Sequence, residues 1–455
     1  MTFSDYMDYL RGKRIGVIGF GVSNQPLVRV LLRNGCDVTV CDRRDRAQLG
    51  ATGDEAAAQG AKFILGADYL EHLDFDVIFR TPGVLPIVPQ LRAAAQSGAI
   101  LTSEMEAFCN LCPCRIIAIT GSDGKTTTAS VIAELLKAEG RRVWLGGNIG
   151  RPLLADAEQM TPDDLAVLEL SSFQLMDMPY SPQVAVLTNL APNHLDVHKD
   201  MAEYVQAKKN VFEYQNETGK VVLNYDNDIT RGFAADAKGT VEFFSRLARP
   251  ENGVYLEDGV ICRNGKKIMA AADICIPGVH NIENYMAAAC TVEGLAEDGD
   301  IDEIARTFAG VEHRIEFVRE LDGVKYYNDS IASSPSRTIA GLHSFRQKLV
   351  LIAGGYDKKI PFDALGPEIC AHVRLLILCG ATAEKIEAAV KSAPDYRPGQ
   401  PEILHAQTLE EAVRLAKRHT VPGDIVTLSP ACAAFDQFKN FMVRGETYKT
   451  LVRAL

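Results

Sequence analysis

The sequence predicts an α/β protein of three domains, and three stretches carry that prediction. Residues 115–120 are a short apolar, β-branched run, followed by Gly121-Ser122-Asp123-Gly124 and then by a strongly helical segment over 129–139. Residues 14–19 form a second run of the same kind, ending in glycines and followed by a helical segment over 26–34. Apolar runs at 348–353, 375–379 and 425–428 again alternate with helical stretches. Buried strands alternating with helices are the pattern of mostly parallel sheets. A chain of 455 residues fits about three domains. With 47% hydrophobic residues it has enough apolar surface for several cores.

In chain order, the first strand runs into Gly19-Phe20-Gly21-Val22-Ser23-Asn24, and a second strand over 38–41 ends at Asp42. This is the opening of a Rossmann-like unit, with an acid about twenty residues beyond the glycines. Asn24 stands where a third glycine would complete the dinucleotide pattern. The stretch therefore predicts a phosphate or nucleotide at a strand-end crevice more strongly than a dinucleotide. A strand over 77–79 enters Arg80-Thr81-Pro82-Gly83, and a connecting helix is expected over 103–108. The first domain is set at residues 1–110. The central domain, 111–311, has further strands expected at 142–145, 165–170, 184–190 and 221–224. It continues with a β-rich stretch over 241–276 and a helix over 280–293. The third domain, 312–455, is read as a second Rossmann-like unit.

The stretch around Gly121 carries chemistry. Strand, glycine turn, lysine, hydroxyl and helix form a phosphate cradle, because loop amides and a helix N-terminus offer positive partial charge to a polyphosphate. Gly121, Ser122, Asp123, Gly124, Lys125, Thr126 and Thr127 are its candidate residues. Lys125 would reach the outer phosphates, and the Thr126 hydroxyl would ligate Mg²⁺. Two residues separate the glycines instead of four, so this is a short variant of the nucleoside-triphosphate loop. Glu169 and His194 sit just beyond two later strands, where ligands of open parallel sheets bind. Both are candidate metal-site residues.

The net charge of −11 argues against a nucleic-acid-binding surface. No apolar run is long enough to span a bilayer, and the first residues lack the basic start and apolar core of a signal peptide. A cytoplasmic location follows as an expectation. The eleven cysteines are odd in number, and Cys36, Cys41, Cys290 and Cys379 lie in apolar runs, so they read as reduced core thiols. Cys109, Cys112 and Cys114 cluster, but no second Cys/His pair follows at metal-site spacing.

Several further motifs occur in order. Gly146-Gly147-Asn148-Ile149-Gly150, Leu170-Ser171-Ser172-Phe173-Gln174-Leu175 and Asn193-His194-Leu195-Asp196 follow the phosphate loop. Then come His280-Asn281-Ile282-Glu283-Asn284, His313-Arg314, Asn328-Asp329-Ser330 and Ser429-Pro430-Ala431-Cys432-Ala433. Together they resemble the Mur ligase family, which builds the peptide of the bacterial cell wall, and the likeness covers nearly the whole chain. The resemblance implies a UDP-sugar domain, a central ATPase domain and a C-terminal amino-acid domain. It implies ATP-driven joining of D-glutamate to UDP-N-acetylmuramoyl-L-alanine through an acyl phosphate, with no partner beyond these small molecules and a monomeric chain.

By the same resemblance, two Mg²⁺ ions are implied. Thr126 and Glu169 hold one, and His194 and Lys208 help hold the second. Asn281, Asn284, Arg314 and Asp329 fall on the ATP side. Val22, Ser23, Asp42, Arg43, Thr81 and Asn148 fall on the UDP-substrate side. Lys358, Ser333, Ala434 and Phe441 fall on the D-glutamate side. Lys125, His194 and Lys208 are the implied catalytic residues, Lys208 as a carbamylated lysine. Tyr204 and Lys208 are four apart and share a helix face, whereas Lys209 points about 100° away. Four positions depart from the family pattern: Asn193 for Asp, Ile331 for Lys, Ser333 for Thr and Ala434 for Ser. Two other readings stay open, a family member that adds a different amino acid and a nicotinamide-dependent oxidoreductase built on residues 14–42.

Overall fold

The computed structural model describes residues 1–194 and 197–455. The chain folds as two compact units, one of residues 1–271 with 283–304 and one of 272–282 with 305–455.

The first unit holds two sheets. Strands β1 (Arg14–Ile18), β2 (Asp37–Asp42), β3 (Lys62–Leu65), β4 (Val77–Arg80) and β5 (Ile100–Thr102) form a sheet in the order β3-β2-β1-β4-β5. Every pairing in it is parallel. The second sheet comprises β6 (Arg115–Thr120), β7 (Val143–Gly147), β8 (Leu165–Glu169), β9 (Val184–Leu187), β10 (Lys220–Asn224), β11 (Thr240–Ser245), β12 (Gly253–Glu257), β13 (Val260–Arg263) and β14 (Lys266–Ala270). Its order is β14-β13-β12-β11-β10-β9-β6-β8-β7. The pairings are parallel from β7 to β12 and antiparallel from β12 to β14.

This order places the phosphate loop. Strand β6 lies between β8 and β9, with β7 and β8 laid on one side of it and β9 and β10 on the other, and such a switch in strand order opens a crevice at its carboxyl end. Strands β6, β8 and β9 are buried along almost their whole length, as both-face burial in a parallel sheet requires. Leu168, Leu187, Val221 and Leu223 join the apolar core there.

The second unit holds β15 (Glu316–Leu321), β16 (Val324–Asn328), β17 (Leu349–Ala353), β18 (Val373–Cys379), β19 (Glu402–Ala406) and β20 (Ile425–Leu428), in the order β15-β16-β20-β17-β18-β19. Only the β15–β16 pair is antiparallel.

The predicted α/β class matches this architecture, with differences at particular elements. The helix expected over 129–139 begins earlier, as Lys125–Ala138, because left-handed Gly124 starts it directly from the loop. Strands β3, β5, β15, β16 and β19 were not read from the sequence. Strands β3, β5, β15 and β19 lie at sheet edges and are half-exposed, so they lack a continuous apolar run. In β16, which is internal, the exposed Lys325 interrupts the run. All eleven cysteines are free, and Cys36, Cys41, Cys290 and Cys379 are buried as expected.

Candidate active site

Backbone shape comes first at the phosphate loop. Gly121 has φ 147° and Gly124 has φ 79°. A Cβ on Gly121 would collide with the Thr188 hydroxyl, and one on Gly124 with the Asn284 amide oxygen. Glycine is thus required here both for conformation and for close approach. The loop is tied to the end of β9: the Ser122 amide donates to the Asn189 carbonyl (2.9 Å), and the Thr188 hydroxyl donates to the Asp123 carbonyl (2.6 Å). The Lys125 ammonium folds over the loop and donates to the Gly121 (3.0 Å) and Ser122 (2.9 Å) carbonyls. Asn284 also joins the loop, accepting a hydrogen bond from Thr128 Oγ1 (3.2 Å).

Thr126 and Glu169 meet directly. The Thr126 hydroxyl donates to Glu169 Oε2 (2.7 Å), and Asn148 Nδ2 donates to Oε1 (2.8 Å). Glu169 is only 2% exposed. A buried carboxylate beside a hydroxyl is a hard oxygen donor set, which suits Mg²⁺ at a phosphate loop. The structure therefore joins Asn148 to the predicted metal residues.

Lys208 completes this cluster from the helix Met201–Glu213. Its side chain is buried, its Nζ donates to Thr120 Oγ1 (3.2 Å), and it lies 5.1 Å from the centre of the Tyr204 ring. The Tyr204 hydroxyl is 2.9 Å from Ser122 Oγ. Burial, helped by the nearby Lys125 ammonium, brings the Lys208 amine down to about 7 from 10.5. Lys209, one residue on, instead pairs with Glu213 (3.1 Å) and Asp236 (3.2 Å).

His194 is exposed, with a left-handed backbone (φ 55°), and its ring meets Phe173 edge-on at 5.3 Å. Leu195 and Asp196, the rest of its motif, lie outside the described residues. His198 was missed by the sequence reading. It is buried, 2.9 Å from Ser172 Oγ, and stacked on Phe173 at 5.2 Å. The signal available for it was a second histidine four residues after His194.

In the first sheet, Val22, Ser23, Asp42, Arg43 and Thr81 all follow or end strands β1, β2 and β4 on the carboxyl-end side of the sheet. Val22 is exposed, and Ser23 precedes the helix Asn24–Arg33. Asp42 is buried and accepts from the Phe20 amide (2.6 Å) and from Arg44 (2.9 Å). Burial opposes its ionisation, but Arg44 and these amides hold the carboxyl below its ordinary range. Asn24, the departure from the glycine pattern, is buried and donates to the Ile18 (3.1 Å) and Gly19 (2.9 Å) carbonyls.

The second unit carries Asn281, Arg314, Asp329 and the expected D-glutamate residues. Asp329 is buried and accepts from Ser429 Oγ (2.7 Å) and the Ile315 amide (3.3 Å). Burial raises its carboxyl to about 7, against the opposing pull of these bonds and of Arg314 and Arg337. Asn281 donates to the Pro277 carbonyl (2.7 Å). Lys358 Nζ donates to the Ser333 carbonyl (3.3 Å), so these two expected acceptor residues are neighbours. The Phe441 carbonyl accepts from Ser330 Oγ (2.8 Å), while the Ala434 methyl is buried. Arg444, also missed from sequence, is buried and joins both loops. It donates to Ser330 Oγ (3.0 Å), the Ser330 carbonyl (2.8 Å), and the Cys432 (3.0 Å) and Ala433 (3.1 Å) carbonyls.

The chain is similar to known proteins along its length. Residues 119–292 match the Mur ligase middle domain, and residues 313–432 match the Mur ligase, glutamate ligase domain. A UDP-N-acetylmuramoylalanine–D-glutamate ligase of Acetivibrio thermocellus is 51% identical, covering 99% of this chain and 98% of its own. A ligase of the same name from Clostridium botulinum strain 657 is 48% identical over 100% of this chain and 99% of its own. Among solved structures, the UDP-N-acetylmuramate-alanine ligase of Thermotoga maritima superposes with a TM-score of 0.59 at 16% identity, covering 97% of this chain and 99% of that one. At such identity this likeness speaks for the fold. Identity near one half along the whole length, over a phosphate loop whose Thr126, Glu169 and Lys208 converge, places the chain in the Mur ligase family.

Proposed function

We propose that this protein is an ATP-dependent amide ligase that adds D-glutamate to UDP-N-acetylmuramoyl-L-alanine in peptidoglycan synthesis. The observation that carries the reading is near-50% identity, along essentially the whole chain, to ligases named for this reaction. The site supplies matching chemistry. The substrate carboxylate attacks the γ-phosphate of ATP, forming an acyl phosphate and releasing ADP. The D-glutamate amine then attacks the acyl carbon, and phosphate leaves the tetrahedral adduct. Such transfer depends on positioning and charge stabilisation more than on covalent help from the protein.

The loop amides and Lys125 hold the outer phosphates. Thr126 and Glu169 would hold one Mg²⁺ ion and His194 with Lys208 a second, and bound Mg²⁺ neutralises phosphoryl charge. Lys208 serves as a carbamate in this reading. Its burial and its position beside Lys125 favour the neutral amine, which takes up CO₂ to become an anionic oxygen ligand. Asn281, Asn284, Arg314 and Asp329 bind nucleotide. Val22, Ser23, Asp42, Arg43, Thr81 and Asn148 face the UDP substrate, Asn148 also donating to Glu169. Lys358 and Ser333 receive the amino acid with Phe441 and the Ala434 loop, a lysine opposite the side-chain carboxylate being the natural electrostatic partner.

The domains in this reading are 1–110 for the UDP substrate, 111–311 for ATP and 312–455 for the amino acid. The reaction uses cytoplasmic nucleotides and a monomeric chain. Among the described residues no helix is long and apolar enough to cross a membrane. The test is phosphate release with UDP-N-acetylmuramoyl-L-alanine, Mg²⁺, ATP and a panel of amino acids. D-glutamate alone should support turnover. Comparable turnover with L-glutamate, L-alanine or a diamino acid would overturn the assignment.

A further inference from the structure

We propose that His343, Glu368 and His372 form a binding site for a divalent transition-metal ion of the Zn²⁺ class, separate from the Mg²⁺ residues. His343 follows the helix Pro335–Leu342 directly, and Glu368 and His372 lie four residues apart on the helix Leu365–His372. That spacing puts Glu368 and His372 on one helix face. The helices pack through Leu342, Leu365 and Ile369, which are buried in one apolar cluster. The backbone beneath all three donors is therefore held by the core.

The geometry is close to that of a coordination shell. The three donor atoms lie within 4.8 Å of one another. His343 Nε2 is 2.7 Å and His372 Nε2 3.6 Å from the same Glu368 oxygen, and the imidazole centres are 4.9 Å apart. Ligands at about 2.0–2.2 Å around a tetrahedral ion stand roughly 3.4 Å apart. Entry of an ion thus requires the His343–Glu368 hydrogen bond to open by under about 1 Å. Ligation through His343 Nε2 uses the tautomer that carries its proton on Nδ1, so the hydrogen bond to Glu368 is given up as the ion binds.

Donor chemistry selects the ion. Two imidazoles and one carboxylate favour Zn²⁺, Co²⁺ or Ni²⁺, whereas Mg²⁺ prefers oxygen donors alone. Side-chain exposures of 51% for His343 and 32% for both Glu368 and His372 leave room for the ion to enter and for water to complete its shell. A second cluster, Glu312, His313 and Glu446, has a similar donor set but a different fate. The Lys449 ammonium already lies 2.8 Å from Glu312 and 2.6 Å from Glu446, neutralising those carboxylates. No lysine is paired with Glu368 among the described ion pairs, whose partners there are the two histidines.

The experiment uses the full chain, saturated with Mg²⁺ and a non-hydrolysable ATP analogue to cover the phosphate loop. Co²⁺ is titrated by visible absorption and Zn²⁺ by calorimetry. The wild type should bind one Co²⁺ that Zn²⁺ displaces, without the near-ultraviolet charge-transfer band of a cobalt thiolate. That band would instead indicate Cys112 and Cys114, whose sulfurs are 3.3 Å apart. Losing a residue that merely supports a ligand typically weakens a metal about 10-fold or more. His343→Ala, His372→Ala and Glu368→Gln should each do at least that, with unchanged far-ultraviolet circular dichroism because none of the three is in the core. Equal Co²⁺ affinity in the wild type and the His343→Ala/His372→Ala double variant, or a thiolate band, would overturn the site.

Discussion

Replacing Lys208 tests the centre of the proposed mechanism, because its neighbour Lys209 is a built-in control. At pH 7 an amine of ordinary pKa 10.5 is neutral in only about 3 molecules in 10⁴. At the value of about 7 that burial gives Lys208, about half are neutral. The site therefore raises the reactive, CO₂-accepting form about 10³-fold. Lys208→Ala removes the amine and the carbamate with it. A preorganised charged group lost from such a site typically costs about 3–4 kcal/mol, or roughly 10²–10³-fold in turnover. Lys209→Ala removes only pairs near the surface, worth about 0–1 kcal/mol of stability, and turnover should stay near wild type. Phosphate release gives the rates, and ¹³C-labelled bicarbonate gives a carbamate signal that should vanish only in Lys208→Ala. Stability gives an independent sign. Between about pH 7 and 10.5 the unfolded chain holds a proton that folded Lys208 has released, so this residue makes stability rise with pH across that window. Lys208→Met should remove that rise and be at least as stable as wild type at pH 7. Full turnover of Lys208→Ala, or an unchanged carbamate signal in it, would refute the reasoning.

Lys125→Ala should lose turnover by about 3–4 kcal/mol of transition-state stabilisation while keeping its fold, since the wild-type ammonium donates to loop carbonyls and is not part of the apolar core; steady-state kinetics beside a melting curve checks both. The Asp329 carboxyl, raised to about 7, binds a proton on folding between its ordinary 3.8 and that value. Its contribution is present below pH 3.8 and is lost as pH rises towards 7. Asp329→Asn should flatten the decline in Tm over that interval, and an unchanged slope would count against its burial as the cause. Arg444→Lys cannot reproduce four bonds to Ser330, Cys432 and Ala433. With charged hydrogen bonds worth about 1.5–3 kcal/mol each, it should lower Tm and raise the KM for D-glutamate more than that for ATP.

Local chemistry was legible without the structure wherever it depends on neighbours in sequence. The strand into Gly121, the glycine pair and Lys125-Thr126 announce a phosphate loop because turn geometry and helix initiation are local properties. Most central strands were equally readable, since burial on both faces leaves an unbroken apolar run, but β16 was not, because Lys325 interrupts its run. Edge strands β3, β5, β15 and β19 were not, because one exposed face breaks that run. Residue types and their order were also enough to suggest the family, and with it Glu169 and Lys208 as site residues. What needed tertiary structure were relations across long stretches of chain. Thr126 and Glu169 are 43 residues apart yet share a hydrogen bond, because β6 and β8 are adjacent. Lys208 looks like half of a surface pair until the helix Met201–Glu213 packs it beneath Thr120, where desolvation lowers its pKa, while Lys209 stays half-buried and paired with Glu213 and Asp236. The same holds for Arg444, His198 and the His343–Glu368–His372 cluster. Each is an ordinary residue in sequence, and its role comes from groups that only the packed core brings within hydrogen-bonding or coordination distance.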